Sequence, residues 1–179
     1  MQTNGDLGQD FKGAMRRLAA TISLVTTVDD AGKPHGMAAT AVSAVSMDPP
    51  SLLICVNQQA SMHDPLAEAE RFCVNLLHRN QAEIVRVFSD PGQRDKRFDN
   101  GKWYAGHKGL PALTGAQASV FCTLDKLVPY GSHTICIGLV DAVVSNAEVS
   151  PLLYSNASFR CIGPPLHVGE DPAALDWVL

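Results

Sequence analysis

Alternating apolar and polar positions predict that β-strands dominate this chain. Segment 21–28 (TISLVTTV) alternates and is rich in β-branched residues, which is typical of a strand, and segment 71–77 (RFCVNLL) predicts another. Two longer apolar runs, 118–130 and 132–146, flank a turn at Tyr130–Gly131, and a short last strand is predicted at 158–163. Because the strands arrive as hairpins, the pattern favours a mainly β fold: a closed or nearly closed antiparallel barrel with two or three peripheral helices.

Three segments have the apolar spacing or the N-terminal residues of helices. Phe11, Met15 and Leu18 recur at helical spacing in segment 10–20, with Asp10 as the candidate N-cap. Segments 61–70 and 81–89 predict a second helix and a short amphipathic third one. The polar, glycine-rich connection from 89 to 110 is long enough to suggest a functional role. We therefore predict an N-terminal arm at 1–10, one domain at 11–163 and a C-terminal tail at 164–179.

Composition and charge narrow the class of protein. The chain has 179 residues, 46% of them hydrophobic, which predicts a packed globular domain. Its net charge is 14 − 18 = −4 without a basic block, which counts against nucleic acid as a partner. No apolar run is long enough to cross a membrane, and the first ten residues do not resemble a secretory signal, so a cytoplasmic protein is expected.

Metal-binding spacings are not apparent among the five cysteines and six histidines. Cys55, Cys73, Cys122 and Cys136 each lie inside an apolar run, so we interpret them as reduced, buried side chains. No metal ligand is predicted.

Segment 36–56 (GMAATAVSAVSMDPPSLLICV) is unusually rich in Ala, Ser and Thr for a strand. Small residues in an extended segment often mark a close approach to the backbone. We expect one return strand from His35 to the Pro49–Pro50 pair, against which a flat ring can lie. The loop from Asn57 to Ser61 precedes a helix and could hold a phosphate. A tight crossing of strands without any ligand is the alternative.

Conventional catalytic motifs are not present in the sequence. It contains no G-x-G-x-x-G, P-loop, G-x-S-x-G or H-E-x-x-H pattern. An enzyme with this sequence would therefore depend on a bound cofactor, which the protein binds and orients.

Several segments, taken in order, resemble the flavin reductase-like family, the small reductases of two-component flavin monooxygenase systems. The matching segments are FKGAMRRLAATISLVTT (11–27), DDAGKPHGMAATAVSAVSMDPPSLLICVN (29–57), ASMHDPL (60–66), RFCVNLL (71–77) and GSHTICIGLV (131–140). The resemblance implies a split β-barrel that forms a homodimer, with FMN or FAD near the subunit interface. It also implies hydride transfer from NADH or NADPH to the flavin N5.

The resemblance assigns roles to individual residues. Those that line the flavin are Thr40, Ser43, Ala44 and Val45, and those of the phosphate loop are Asn57, Ala60 and Ser61. His133 corresponds to the histidine of a G-D-H motif associated with the nicotinamide, although here Ser132 replaces the aspartate. Apart from the resemblance, we expect Phe98 to lie in a loop that folds over the cofactor, with a solvated loop as the alternative, and Tyr154 to approach the nicotinamide.

Three functions are compatible with this resemblance. The first is a reductase that releases reduced flavin to a partner monooxygenase. The second keeps its flavin and reduces another acceptor, such as the cobalt of a corrinoid in cob(II)yrinic acid a,c-diamide reductase-like members. The third is a flavin-binding protein without enzymatic activity.

Overall fold

The computed structural model describes residues 6–164 as twelve strands, three α-helices and three short 3-10 segments. The strands are β1 (Ala20–Thr21), β2 (Ser23–Val28), β3 (Pro34–Ala39), β4 (Val42–Met47), β5 (Pro50–Asn57), β6 (Arg71–Leu76), β7 (Trp103–Ala105), β8 (Pro111–Leu113), β9 (Ala118–Tyr130), β10 (His133–Ser145), β11 (Leu153–Ser155) and β12 (Ser158–Arg160). The α-helices are α1 (Leu7–Met15), α2 (His63–Ala69) and α3 (Ala82–Ser89), and the 3-10 segments are Arg79–Gln81, Pro91–Asp99 and His107–Gly109.

A seven-stranded antiparallel sheet forms the centre of the fold, in the order β3-β2-β6-β9-β10-β5-β4. Strands β3 and β4 lie at its opposite edges, although only Thr40 and Ala41 separate them in the chain. Three Cα–Cα steps span at most about 11 Å, so the sheet curls until its two edges come close. The edges share no hydrogen-bonded ladder in the described part of the chain, so the sheet is not closed into a barrel.

The prediction of a single return strand through residues 35–48 is therefore wrong. The chain leaves the edge formed by β3 after Ala39 and joins the opposite edge, where the Ala41 carbonyl accepts a hydrogen bond from Cys55 N at 3.1 Å. Val42 then pairs with Ile54 of β5. The alternation of small residues is the same on both sides of this step, so the pattern alone cannot reveal it.

The long hairpin of β9 and β10 confirms the turn predicted at Tyr130–Gly131. Its register shifts between Ile137 and Gly138 and again between Val140 and Ala142. At Gly138 a Cβ atom would lie 2.6 Å from Phe72 Cζ and 2.8 Å from Cys122 Cβ. A glycine is therefore required where these strands approach the core most closely.

Two apolar clusters make up most of the core. One lies against the inner face of the sheet and is covered by α2; its fully buried members include Val25, Ile54, Val56, Phe72 and Leu66. The other is formed where α3 packs Ile84, Val85 and Phe88 against Leu24 and Leu77. The predicted helices at 61–70 and 81–89 are thereby confirmed.

Helix α1 differs from its prediction. It begins at Leu7, with Asp6 rather than Asp10 as the N-cap, because the Asp6 carboxylate accepts a hydrogen bond from Gly8 N at 2.9 Å. The helix contains no buried residue. The predicted arm at 1–10 therefore overlaps this helix, and the tail predicted at 164–179 lies outside the described residues except for Pro164.

The cysteines occupy two kinds of environment. Cys73, Cys122 and Cys136 are buried as expected, and burial raises the pKa of Cys122 to about 12 and that of Cys136 to about 11. Cys55 is half-buried and Cys161 is exposed. Between residues 6 and 164, no helix is long and apolar enough to cross a membrane.

Candidate functional site

Thr40 lies at the step between the two sheet edges, and a cleft opens on each side of it. One cleft, of about 450 Å³, is bounded by α1, by Ala41 and by Tyr154 of β11. The other, of about 330 Å³, is lined by Ala38, Ala39, Tyr154 and residues of α3. Thr40 and Tyr154 border both clefts.

Small side chains leave the backbone accessible along these clefts. Ala38, Ala39 and Ala41 flank Thr40, which is exposed, and Tyr154 is 40% exposed. Tyr154 packs edge-on against Phe159, with 6.2 Å between the ring centroids. Strand β3 is an edge strand, so its free N–H and C=O groups can bond to a ligand. Thr40, predicted to line the flavin, lies at this surface.

A third cavity, of about 170 Å³, lies at the other end of β3. It is lined by Lys33, Pro34, His35, Gly36, Ser61, Arg94, Asp95, Arg97 and Phe98. His35 Nε2 lies 2.9 Å from Asp29 Oδ2, and this contact holds the pKa of Asp29 below its usual range. Phe98 lines this cavity and also packs with Phe88 and Trp103, at centroid distances of 5.5 and 5.0 Å.

His133 and the predicted phosphate loop are close together. His133 is the first residue of β10 and pairs with Asn57, the last residue of β5. Gln58 strengthens the junction, because its N donates to Ser132 O at 3.0 Å and its Nε2 to His133 O at 3.3 Å. The His133 side chain is exposed, and its Nδ1 lies 2.9 Å from Ser132 Oγ.

The loop residues have different environments. Asn57 Oδ1 accepts a hydrogen bond from Gln59 N at 2.8 Å, which fixes the turn. Ala60 packs against the core, whereas Ser61 is exposed and lines the third cavity. Ser61 is thus the loop residue best placed to contact a ligand.

Ser43, Ala44 and Val45 lie beyond the crossing at Thr40–Ala41. They lie on β4, paired with β5, and are exposed on the edge opposite β3. None of the three cavities described above is lined by them. The expectation that these three residues continue the strand that precedes Thr40 is wrong, because the chain crosses between edges at Thr40–Ala41.

Several cavity residues were not among the predicted site residues. Lys12 and Arg16 of α1 line the first cleft, and Lys33 and Arg94 line the third cavity. In the sequence all four have the pattern of ordinary surface cations. The signal for Lys33 and Arg94 is that they belong to the basic segments KPH (33–35) and RDKR (94–97). His63 was also not assigned, although its Nε2 lies 3.0 Å from the buried Thr134 Oγ1.

Residues 15–163 match the family model described as the flavin reductase like domain. The chain therefore belongs to this family. It is 37% identical over 159 residues to the reductase component of the FADH(2)-dependent resorcinol hydroxylase of Rhizobium sp. (strain MTP-10005). This alignment covers 88% of this chain and 89% of that protein. It is 36% identical over 163 residues to the FMN reductase (NADH) RutF of Methylorubrum populi (strain ATCC BAA-705 / NCIMB 13946 / BJ001). That alignment covers 91% of this chain and 80% of the relative.

Solved structures of similar proteins have the same fold. The NADH:FAD oxidoreductase SgcE6 of Streptomyces globisporus C-1027, in complex with NAD and FAD fragments, has a TM-score of 0.82 and 30% identity, with 88% of this chain and 93% of that chain covered. BorF, the flavin reductase component of a bacterial two-component tryptophan halogenase, has a TM-score of 0.81 and 29% identity, with 88% and 99% covered. None of these names refers to a corrinoid, so the corrinoid alternative has no support from them.

Proposed function

We propose that this protein is an NADH-dependent flavin reductase that transfers hydride from NADH to FMN or FAD and supplies reduced flavin to a partner monooxygenase or hydroxylase. The observation that carries this proposal is the family match over residues 15–163, together with relatives named as NADH-dependent or two-component reductases. Because NADH is an intracellular reductant, a cytoplasmic location is also part of the proposal.

The flavin ring is proposed to lie against Ala38–Ala41, with Thr40 bonded to its polar edge and Tyr154 beside it. When bound, the flavin supplies the hydride-accepting atom, so the protein is needed for binding and orientation rather than for proton transfer. The Ala38 and Ala39 side chains and the free edge of β3 leave room for this ring.

His133 is proposed to position NADH by a hydrogen bond. Cys55 N donates a hydrogen bond to Ala41 O, and Cys55 pairs with Ile135 of β10. His133 comes two residues before Ile135, so it is displaced from Ala41 by about 7 Å along the strand direction. It is exposed and therefore free to contact a soluble nucleotide. Ser132, which replaces the family's aspartate, can accept from or donate to the imidazole at the observed 2.9 Å.

A homodimer with a split-barrel fold is also part of the proposal. Val128, Ile135 and Cys55 are paired in one row across β9, β10 and β5, and Ile137 and Leu53 follow in the next. Their neighbours Ile54, Val56 and Cys136 point to the core, so this row lies on the outer face. When both faces of an antiparallel sheet carry apolar residues, burial of both faces is favourable. A second copy would supply that cover and bring Ser43, Ala44 and Val45 into a site completed by both subunits.

The experiment that tests the activity is the anaerobic reduction of FMN, FAD or riboflavin by NADH or NADPH, with and without the protein. We expect faster loss of the oxidised flavin spectrum with the protein present and a preference for NADH. If the rate equals that of the protein-free mixture for every pair, the enzymatic proposal is wrong. If flavin nevertheless binds, the protein is a flavin-binding protein without this activity.

A further inference from the structure

His63, the first residue of α2, links its own helix to the start of β10. Its Nδ1 lies 2.7 Å from Asp64 Oδ1, and its Nε2 lies 3.0 Å from Thr134 Oγ1. A carboxylate only accepts hydrogen bonds, so Nδ1 carries the proton. In the neutral ring Nε2 is therefore the acceptor, and the Thr134 hydroxyl donates to it.

The order carboxylate, imidazole, hydroxyl is also that of a catalytic triad, but the Thr134 hydroxyl is not accessible to a substrate. Thr134 is only 3% exposed, and it lines none of the three cavities described above. The Asp64 side chain, in contrast, is 82% exposed, whereas the carboxylate of a triad is buried. The contact therefore holds two elements together and does not activate a nucleophile.

The bond to Thr134 anchors the end of the β9–β10 hairpin. Residues 125–133 are exposed, and Thr134 is the first buried residue of β10. Exposed ends of strands open more easily than buried segments. Among residues 6–164, His63 is the only side-chain hydrogen-bond partner of Thr134 Oγ1. Because a buried hydroxyl without a partner is unfavourable, this bond holds the start of β10 against α2.

His133 comes directly before this anchor. Successive residues of a strand point to opposite faces, so Thr134 faces α2 and the core whereas His133 faces solvent. Gln58 already donates to the carbonyls of Ser132 and His133 from its N and its Nε2. Three hydrogen bonds that join residues 58–63 to β10 and its preceding turn thus fix the backbone that carries the His133 imidazole.

We propose that His63 is a positioning residue for NADH. Through Thr134 it fixes the start of β10, and so it determines where the His133 imidazole meets the nucleotide, without touching the nucleotide itself. Hydrogen bonds weaken steeply with distance and angle, so a small displacement of His133 weakens its bond to NADH. This inference rests on the proposed function and on the role of His133 in it.

The test combines steady-state kinetics with amide hydrogen exchange on His63→Ala, Thr134→Val and the control His107→Ala. Thr134→Val removes the hydroxyl and keeps the shape of the side chain, and His107 is an exposed histidine in the 3-10 segment His107–Gly109. We expect His63→Ala and Thr134→Val to raise the KM for NADH several-fold, with kcat and the dissociation constant of FMN nearly unchanged. Both should also speed amide exchange at 132–135 in the ligand-free protein. His107→Ala should change neither, and His63→Gln, whose amide reaches the position of Nε2, should restore most of the wild-type KM.

A double variant separates positioning from a general loss of stability. If His63 acts through His133, adding His63→Ala to His133→Asn should leave the KM for NADH within about twofold of that of His133→Asn alone. A further several-fold rise would mean that the two residues act independently, which would overturn the inference. Faster amide exchange at an unchanged KM would overturn it as well, because His63 would then have a structural role only.

Two further outcomes complete the test. Weaker FMN binding in Thr134→Val, to the same degree as the rise in KM, would assign the anchor to the flavin and overturn the inference. If His63→Ala does not fold, Thr134→Val decides by the same measurements. A wild type that reduces flavin with NADH, together with an unchanged KM in Thr134→Val, would refute this inference alone, whereas a wild type without that activity would refute the proposed function itself.

Discussion

At the scale of single residues, the proposed site consists of exposed polar groups whose loss should not disturb the fold. His133 is exposed, with only Ser132 Oγ near its Nδ1. We expect His133→Asn to raise the KM for NADH several-fold and to lower kcat only modestly, because one hydrogen bond contributes about 1 kcal/mol. Steady-state kinetics measures both constants. A roughly hundredfold fall in kcat at unchanged KM would instead identify His133 as a proton-transfer catalyst.

Thr40 allows a second test at the same scale. Thr40 borders both clefts, so Thr40→Val should weaken FMN binding several-fold, in line with a net hydrogen-bond contribution of about 0.5–1.5 kcal/mol. The measurement is a flavin titration, with thermal unfolding as a check on the fold. Thr114→Val is the matched control, since Thr114 is exposed and borders neither cleft. Unchanged affinity in Thr40→Val would remove Thr40 from the flavin site.

At the scale of elements, one buried side chain joins four strands. Asn75 of β6 is fully buried, donates to Leu24 O at 3.2 Å, and accepts from Leu113 N and Ser119 Oγ, each at 2.9 Å. Asn75→Ala leaves buried groups on β2, β8 and β9 without partners, at a cost of about 1–3 kcal/mol for each such group. We expect a lower free energy of unfolding in denaturant by at least about 2 kcal/mol. The exposed control Asn80→Ala should change it by under about 0.5 kcal/mol.

The bulge in β10 can be tested at the same scale. A methyl group at Gly138 meets Phe72 and Cys122 at under 3 Å, so Gly138→Ala should destabilise the protein by about 1–3 kcal/mol. Gly13 of α1 has no atom within 4 Å of the corresponding position, so Gly13→Ala adds the same group at no steric cost. Denaturant midpoints that fall equally in both variants would contradict the close packing of β10 on β6.

At the scale of the whole molecule, the proposed dimer explains the exposed apolar surface of β4 and β9. Val45 and Met47 are 48% and 58% exposed, and Val128 is 44% exposed. We expect light scattering to give twice the chain mass at micromolar concentration, and Val128→Asp to give the monomer mass. Asp125→Asn, also on β9 and exposed, is a control that should remain dimeric. A monomeric wild type would exclude the dimer and leave the row from Val128 to Cys55 without a proposed cover.

The sequence by itself determined the family, the helices predicted at 61–70 and 81–89, and the strands that alternate with period two. These depend on local spacing and on motifs that can be read along the chain, such as the segment from Asp29 to Asn57. Only the tertiary structure decided that Ala39 and Ser43 belong to opposite sheet edges. Hydrogen bonds from distant strands direct the chain there, and the run of small residues fits either edge equally well. For the same reason Arg97, which the sequence does not distinguish from Lys96, becomes a half-buried cation, because Gly36 O accepts its hydrogen bond and the Phe88 ring lies beside it.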